Sequence, residues 1–188
     1  MKSLFLVAAF ILILLSCNNA NETKNEPVEK QNFFPVTSFF KGEIYNIKKA
    51  GVNPLKYTTV NNHTDSVWLK IEEIEDAVKE FLHPEIDTAN LTTLFTEKRF
   101  LDQTINAVTF TYEASAPLPD SMKLTHWDVY IDPEANTVKR IYLVKQISNS
   151  TLLQLTWIAN KWCKITTIVT DKTGVSTVEK EEKIIWDF

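Results

Sequence analysis

Hydrophobic and polar residues follow two different periods along this chain. Apolar residues recur every three or four positions over about 37–50, and Gly51 follows as a signal for the end of a helix. The same spacing occurs over about 70–83, where acidic residues occupy the other side and Pro84 follows. The pattern predicts two helices early in the folded part of the chain.

From about residue 104 onward the period changes to two, which is typical of half-buried strands. Polar turns such as 117–120 and 132–136 separate the alternating stretches. Strands joined by so few residues pair antiparallel, because a parallel crossover needs about a dozen residues or more. With a short strand over about 55–60, the pattern predicts the α+β class: an antiparallel β-meander of five to seven strands with two N-terminal helices packed on one face.

Three local predictions complete the outline. The charged residues at 179–183 predict that the last strand is a sheet edge, where charge discourages further pairing. Leu91–Phe95 is predicted to form a short helical turn. His63 falls in a predicted loop and His83 at a helix end, so the three histidines do not supply the converging ligands of a metal site.

Composition narrows the class of protein. The chain has 188 residues, a formal net charge of -4 and 44% hydrophobic residues, which favours one domain and excludes a strongly basic nucleic-acid binder. Its 3 glycines lie far apart, so no phosphate-binding loop is present in the sequence, and common metal and nucleophile motifs are absent too. We therefore expect a protein that is not an enzyme, without catalytic, cofactor-binding or metal-binding residues and without a nucleic-acid partner.

The nearest approach to a catalytic site is His126-Trp127-Asp128, on a predicted strand. Alternation places His126 and Asp128 on the same face, about 6.5–7 Å apart, which is too far for a direct short hydrogen bond. An imidazole beside a carboxylate could act as a general base or bind a metal. Because alternation alone predicts a solvent-facing polar row here, we interpret the pair as that row.

The tryptophans offer a second candidate site. Alternation places Trp162 and Ile168 on the face opposite Cys163, so the two form an exposed apolar patch if the side of Cys163 is the core. The alternative is that the large aromatic residues fill the core and its rim. Cys163 itself is predicted to be buried, as free cysteines commonly are.

The beginning of the chain resembles a bacterial lipoprotein signal. Twelve apolar residues, Leu4 to Leu15, are too few to span a bilayer but have the length of a signal-peptide core. Leu14-Leu15-Ser16-Cys17 is similar to the lipobox of bacterial lipoproteins, with an aliphatic residue three positions before the cysteine and a small one directly before it. The resemblance implies cleavage after Ser16 and a lipid on Cys17 that anchors the chain to a membrane.

The resemblance also implies an organisation and a location. Residues 1–16 form the signal peptide, 17–33 the lipidated cysteine and a disordered polar tether, and 34–188 a single α+β domain. This layout is similar to that of short lipoproteins of Bacteroidota-type bacteria. It implies a cell-envelope protein, lipid-anchored in the outer membrane and facing the periplasm, with surface display as the alternative.

Two functions remain open from the sequence. The first is a non-catalytic binding or structural module whose partner is an envelope protein or polymer. The alternative is a carrier of a lipid or other apolar ligand in a cavity between sheet and helices. A hollow interface of at least about 300 Å³ would favour the carrier, and a filled one the binding module. An enzyme that uses His126 and Asp128 comes third.

Overall fold

The computed structural model describes residues 32–187, in which nine antiparallel strands form one sheet in the order β2-β1-β9-β8-β7-β6-β5-β4-β3. The strands are β1 (Leu55–Val60), β2 (His63–Trp68), β3 (Phe95–Asp102), β4 (Ala107–Ala114), β5 (Leu124–Ile131), β6 (Val138–Ser148), β7 (Thr151–Ile158), β8 (Trp162–Thr170) and β9 (Ser176–Ile185). The helices are α1 (Val36–Ala50), a 3-10 helix (Ile71–Glu73), α2 (Ile74–Ala77) and α3 (Lys79–Leu82).

Helix α1 confirms the first predicted helix. It begins after Pro35 and ends at Gly51, which has a positive φ of 67° and donates its N–H to the Lys48 carbonyl. Glycine adopts this conformation at little cost, which explains why the helix stops there. Its apolar stripe, which includes Phe40 and Ile44, is buried.

The second predicted helix is wrong as a continuous element. The segment forms a 3-10 turn and two four-residue helices, because Val78, between α2 and α3, has a φ of -110° outside the helical range. The predicted apolar stripe is nevertheless buried at Ile74, Val78, Phe81 and Leu82. Burial, rather than a long run of helical hydrogen bonds, holds this segment in place.

The sheet has nine strands rather than five to seven, and the unpredicted ones are β2 and β3. Strand β2 pairs with β1 through Asn61-Asn62, whose positive φ angles of 49° and 62° are typical of a two-residue hairpin turn. His63 is the first residue of β2, so its assignment to a loop is wrong. The turn before β3 is as predicted, since the Phe95 N–H donates to the Leu91 carbonyl.

The prediction that the last strand is an edge is also wrong. Strand β9 lies inside the sheet, between β8 and β1. Its charged residues instead form cross-strand ion pairs: Lys56 Nζ lies 2.6 Å from Glu182 Oε1, and Lys164 Nζ lies 2.9 Å from Glu181 Oε2. Alternating charge along a strand can thus reflect pairing with neighbours as well as protection of an edge.

One face of the sheet, called here the core face, packs against the helices through aromatic rings. The Trp157 ring lies 4.9 Å from that of Phe40 and 5.1 Å from that of Phe81, between centroids. Tyr112 stacks on Trp127 at 4.5 Å, and Phe33 packs edge-on against Tyr112. Phe33, next to the predicted boundary at residue 34, is thus part of the packed core.

Cys163 lies on the core face and is fully buried, as predicted. Burial raises the pKa of its thiol far above the ordinary value, because a thiolate would be unsolvated there.

The predicted anchor lies outside the described residues. The predicted signal peptide at 1–16, Cys17 and the predicted tether as far as residue 31 belong to that part of the chain. Among residues 32–187, no helix has both the length and the apolar character needed to cross a bilayer.

Candidate functional site

The face of the sheet opposite the core face, called here the open face, is built from strand residues in continuous register. The helix contacts described above fall on the core face, and the alternate residues of each strand point the other way. Three rows of directly opposed residues cross all nine strands on the open face. In sheet order, from β2 to β3, the first row is Trp68, Leu55, Ile185, Trp162, Ile158, Arg140, Tyr130, Thr109 and Phe100. The second row is Ser66, Tyr57, Lys183, Lys164, Thr156, Tyr142, Asp128, Thr111 and Lys98. The third row is Thr64, Thr59, Glu181, Thr166, Gln154, Val144, His126, Glu113 and Thr96.

A polar cluster around Asp128 occupies one half of this face. His126 Nε2 lies 3.0 Å from Asp128 Oδ2, the Thr111 hydroxyl donates to Oδ1 at 2.6 Å, and the Tyr130 hydroxyl donates to Oδ2 at 3.4 Å. The prediction that His126 and Asp128 are too far apart for a hydrogen bond is therefore wrong. The strand repeat sets the distance between their Cα atoms, but the side chains lean towards each other.

Exposure varies within the cluster: Asp128 is only 8% exposed, whereas His126, Thr111 and Tyr130 are partly exposed. Burial raises the pKa of the Asp128 carboxyl, but the hydrogen bonds from His126, Thr111 and Tyr130 together outweigh burial and hold the pKa below its ordinary value. The carboxylate is thus ionised at neutral pH, and each of its oxygens already accepts at least one hydrogen bond.

His126 responds in the opposite direction. Its hydrogen bond to Asp128 raises the pKa of the imidazole, against the effect of burial, and the charges of Asp128 and Glu113 add to the rise. Glu113 is itself paired with Lys98 across the sheet. The arrangement favours a protonated imidazole beside an ionised carboxylate, which is a poor base but a good hydrogen-bond donor.

Two cations on the open face lie over aromatic rings. The Arg140 guanidinium is 3.8 Å from the centroid of the Tyr130 ring, and Lys183 Nζ is 4.8 Å from that of Trp162. Within the described residues no carboxylate lies within 4.0 Å of either cation. The Nε of Arg140 is buried and has no hydrogen-bond partner there.

The predicted apolar patch of Trp162 and Ile168 is split. Both side chains are on the open face and partly exposed, but they lie six positions apart on β8, which is about 20 Å along a strand. Trp162 has Ile158 and Ile185 as its neighbours across the sheet, whereas Ile168 lies opposite Leu152 and Val178. They belong to two separate apolar areas near the two ends of the strand.

The register brings together residues that the sequence did not single out, chiefly Arg140, Tyr130, Thr111 and Lys183. Within residues 32–187, no group of three or more His, Cys, Asp or Glu side chains is placed to hold a metal ion. Comparison with protein-family models, curated proteins and solved structures gives no match to this chain. The geometry of the open face therefore carries the functional argument.

The contribution of His126 to stability is expected to fall as the pH rises. Because folding raises its pKa, the contribution is complete below the ordinary histidine value of about 6.5 and is lost as the pH passes the raised value. The contribution of Asp128, whose pKa is lowered, is lost only in acid, well below this range. Between about pH 5.5 and about pH 8.5, the His126–Asp128 pair should lose about 1 kcal/mol of free energy of unfolding.

Denaturant unfolding of the wild type and His126→Gln at both pH values measures this loss as the difference between the two proteins. His83→Gln, which alters an exposed histidine at the end of α3, is the matched control and should keep the wild-type pH dependence. An unchanged pH dependence in His126→Gln would contradict the assignment.

Proposed function

We propose that this chain is a membrane-anchored envelope lipoprotein that binds its ligand on the open face of the sheet, without catalysis. The observation that carries the proposal is a wide sheet whose described helices pack on one face only. The other face presents three ordered rows with partly exposed aromatic and charged side chains, among them Trp162 and Lys183. Contiguous uncovered faces of this kind are typical of binding surfaces.

The state of the His126–Asp128 pair supports binding rather than proton transfer. The Asp128 oxygens are already engaged by three donors, and the imidazole is held towards its protonated form. A general base needs a free lone pair near the substrate, and this pair offers donors instead. The pair therefore fits a role in holding the neighbouring side chains of a binding surface in fixed orientations.

The anchor follows from the sequence resemblance at Leu14-Leu15-Ser16-Cys17 and is part of the proposal. Sixteen residues lead from Cys17 to Phe33, where the packed domain begins. A segment of that length reaches at most about 55 Å. The domain would therefore sample the zone next to the membrane, where envelope polymers and envelope proteins are its available partners.

The packing between helices and sheet gives the carrier alternative less support. The rings of Phe40, Phe81 and Trp157 contact one another where a carrier would need its cavity. A cleft of about 380 Å³ does open beside α2 and α3, but charged residues such as Lys56 and Glu182 line it. Charged walls suit an apolar ligand poorly.

The anchor is tested by fatty-acid labelling of the full chain in a Gram-negative host. Wild type should take up label and sediment with membranes, and Cys17→Ser should lose both properties completely. The chain has 2 cysteines, so Cys163→Ser is the matched control and should remain labelled. Label on Cys17→Ser, or an unlabelled wild type in the soluble fraction, would contradict the anchor.

A fluorescence experiment on the purified full chain tests the open face. Acrylamide quenching of Trp162 fluorescence, taken as the difference between wild type and Trp162→Phe, should decrease when envelope extract is added. Quenching that is unchanged by the extract would count against ligand binding on this face.

A further inference from the structure

Charge is distributed unevenly over this domain. The chain as a whole has a net charge of -4, yet the three open-face rows carry more cations than carboxylates in the described part of the chain. The cations are Lys98, Arg140, Lys164 and Lys183, and the carboxylates are Glu113, Asp128 and Glu181. His126 adds positive charge when it is protonated. These three rows thus carry one cation more than carboxylates, although the protein is acidic overall. By the alternation of β3, Asp102 lies on the same face outside the three rows, and its charge interacts with Arg140.

The carboxylates on this face are already satisfied. Glu113 pairs with Lys98, Glu181 with Lys164, and Asp128 accepts from three side chains. The cations left over are Arg140 and Lys183, which lie over aromatic rings and form no ion pair within 4.0 Å among the described residues. The charged groups that remain are positively charged donors, so the complementary ligand carries acidic oxygens.

Polar and apolar side chains share the space between and beside these two cations. Arg140 is on β6 and Lys183 on β9, three strand spacings or about 15 Å apart. Ile158 and Trp162 in the first row and Thr156 and Lys164 in the second lie between them. Gln154 and Thr166 lie beside this stretch, in the third row. Hydroxyl and amide groups both donate and accept hydrogen bonds, which matches the hydroxyls of a sugar.

We propose that the open face binds a carboxylate-bearing polysaccharide that lies across the strands. Arg140 and Lys183 hold its acidic groups, and the hydroxyl and amide side chains between and beside them bond its sugar hydroxyls. This inference rests on the proposed function, because it names the ligand class of the same face.

Two other occupants fit this face less well. An extended peptide adds to a sheet at an edge strand, where backbone groups are unpaired, whereas the open face offers side chains only. An anionic bilayer attracts clusters of Lys and Arg, whereas here Glu113, Asp128 and Glu181 are interspersed among the cations. A polymer with spaced carboxylates and many hydroxyls matches the pattern of both charges and neutral groups.

The test is a calorimetric titration of the full chain with oligomers of alginate, a carboxylate-bearing polysaccharide, and with dextran oligomers of similar length as the neutral probe. Alginate should bind and dextran should not. Arg140→Gln and Lys183→Gln should each weaken alginate binding about tenfold, the effect of one charged hydrogen bond. Lys172→Gln removes the same charge from the exposed turn between β8 and β9 and should bind as wild type does.

Equal binding of dextran and alginate would overturn the inference, and so would an equal loss in Lys172→Gln. Failure of the chain to bind alginate would also overturn it. In that case, co-sedimentation of the chain with vesicles containing phosphatidylglycerol would identify an anionic bilayer as the occupant instead. If Arg140→Gln does not fold, as judged by thermal unfolding, Lys183→Gln decides the question alone. Shielding of Trp162 by envelope extract without alginate binding would remove this inference and leave the proposed function standing.

Discussion

Trp157→Ala is expected to lower the free energy of unfolding by about 3–5 kcal/mol, the range for removing a large aromatic side chain from a core. The Trp157 ring is fully buried and contacts the rings of Phe40, Phe81 and Trp186. Its indole N–H also donates to Glu43 at 3.3 Å. The substitution removes the ring contacts that join α1 and α3 to the sheet. It also leaves the buried Glu43 carboxylate with one hydrogen-bond donor fewer.

The matched control is Trp162→Ala, on the neighbouring strand but on the open face. Trp162 is partly exposed and packs against Lys183, so its removal should cost about 1 kcal/mol or less. Urea unfolding followed by circular dichroism gives both values. Equal losses in the two variants would mean that the open face is also a packed interior, contrary to the fold described above.

The second large effect is expected at the ion pair between Lys145 and Glu80. Lys145 is only 3% exposed, and its Nζ donates to the Glu80 carbonyl and, at 2.8 Å, to the Glu80 carboxylate. Glu80→Ala leaves a buried ammonium without its counter-ion. Removing one partner of a fully buried pair costs about 3–5 kcal/mol, and here about 2 kcal/mol is expected because the Glu80 side chain is 40% exposed.

Lys145→Met distinguishes charge from packing at this position. Methionine has a similar length and carries no charge, so it leaves no buried ion and should cost less than Glu80→Ala. Chemical denaturation of both variants provides the comparison. If Lys145→Met lost more free energy of unfolding than Glu80→Ala, the Lys145 ammonium would contribute to stability beyond its ion pair with Glu80, contrary to this expectation.

Strands with one buried face could be predicted from alternation, and strands without one could not. In β5 and β7, buried Trp127 and Trp157 alternate with less buried or polar neighbours, so the period of two is visible in the sequence. All six residues of β2 are exposed, and Arg99 to Leu101 in β3 are exposed without alternation. Both are edge strands, where burial does not shape the sequence pattern. The turn residues Asn61-Asn62 were the available signal for β2.

The candidate site was predictable only in part. Alternation placed His126 and Asp128 on one face, but their hydrogen bond depends on side-chain rotamers. The pairing of Tyr130 with Arg140 depends on the register between β5 and β6, which shifts at a bulge next to Tyr130. Such a register shift leaves no mark in the alternation of hydrophobic and polar residues, so it could not be predicted from the sequence.

The position of β9 between β8 and β1 has a consequence for folding during synthesis. The hairpin of β1 and β2 is synthesised early, yet its only link to the rest of the sheet, among the described strands, is β9, the last of those strands to be synthesised. Nascent chains that still lack β9 therefore hold two incomplete pieces, and pairing across so long a stretch of sequence is slow. The nine-stranded sheet can therefore assemble only after β9 has been synthesised.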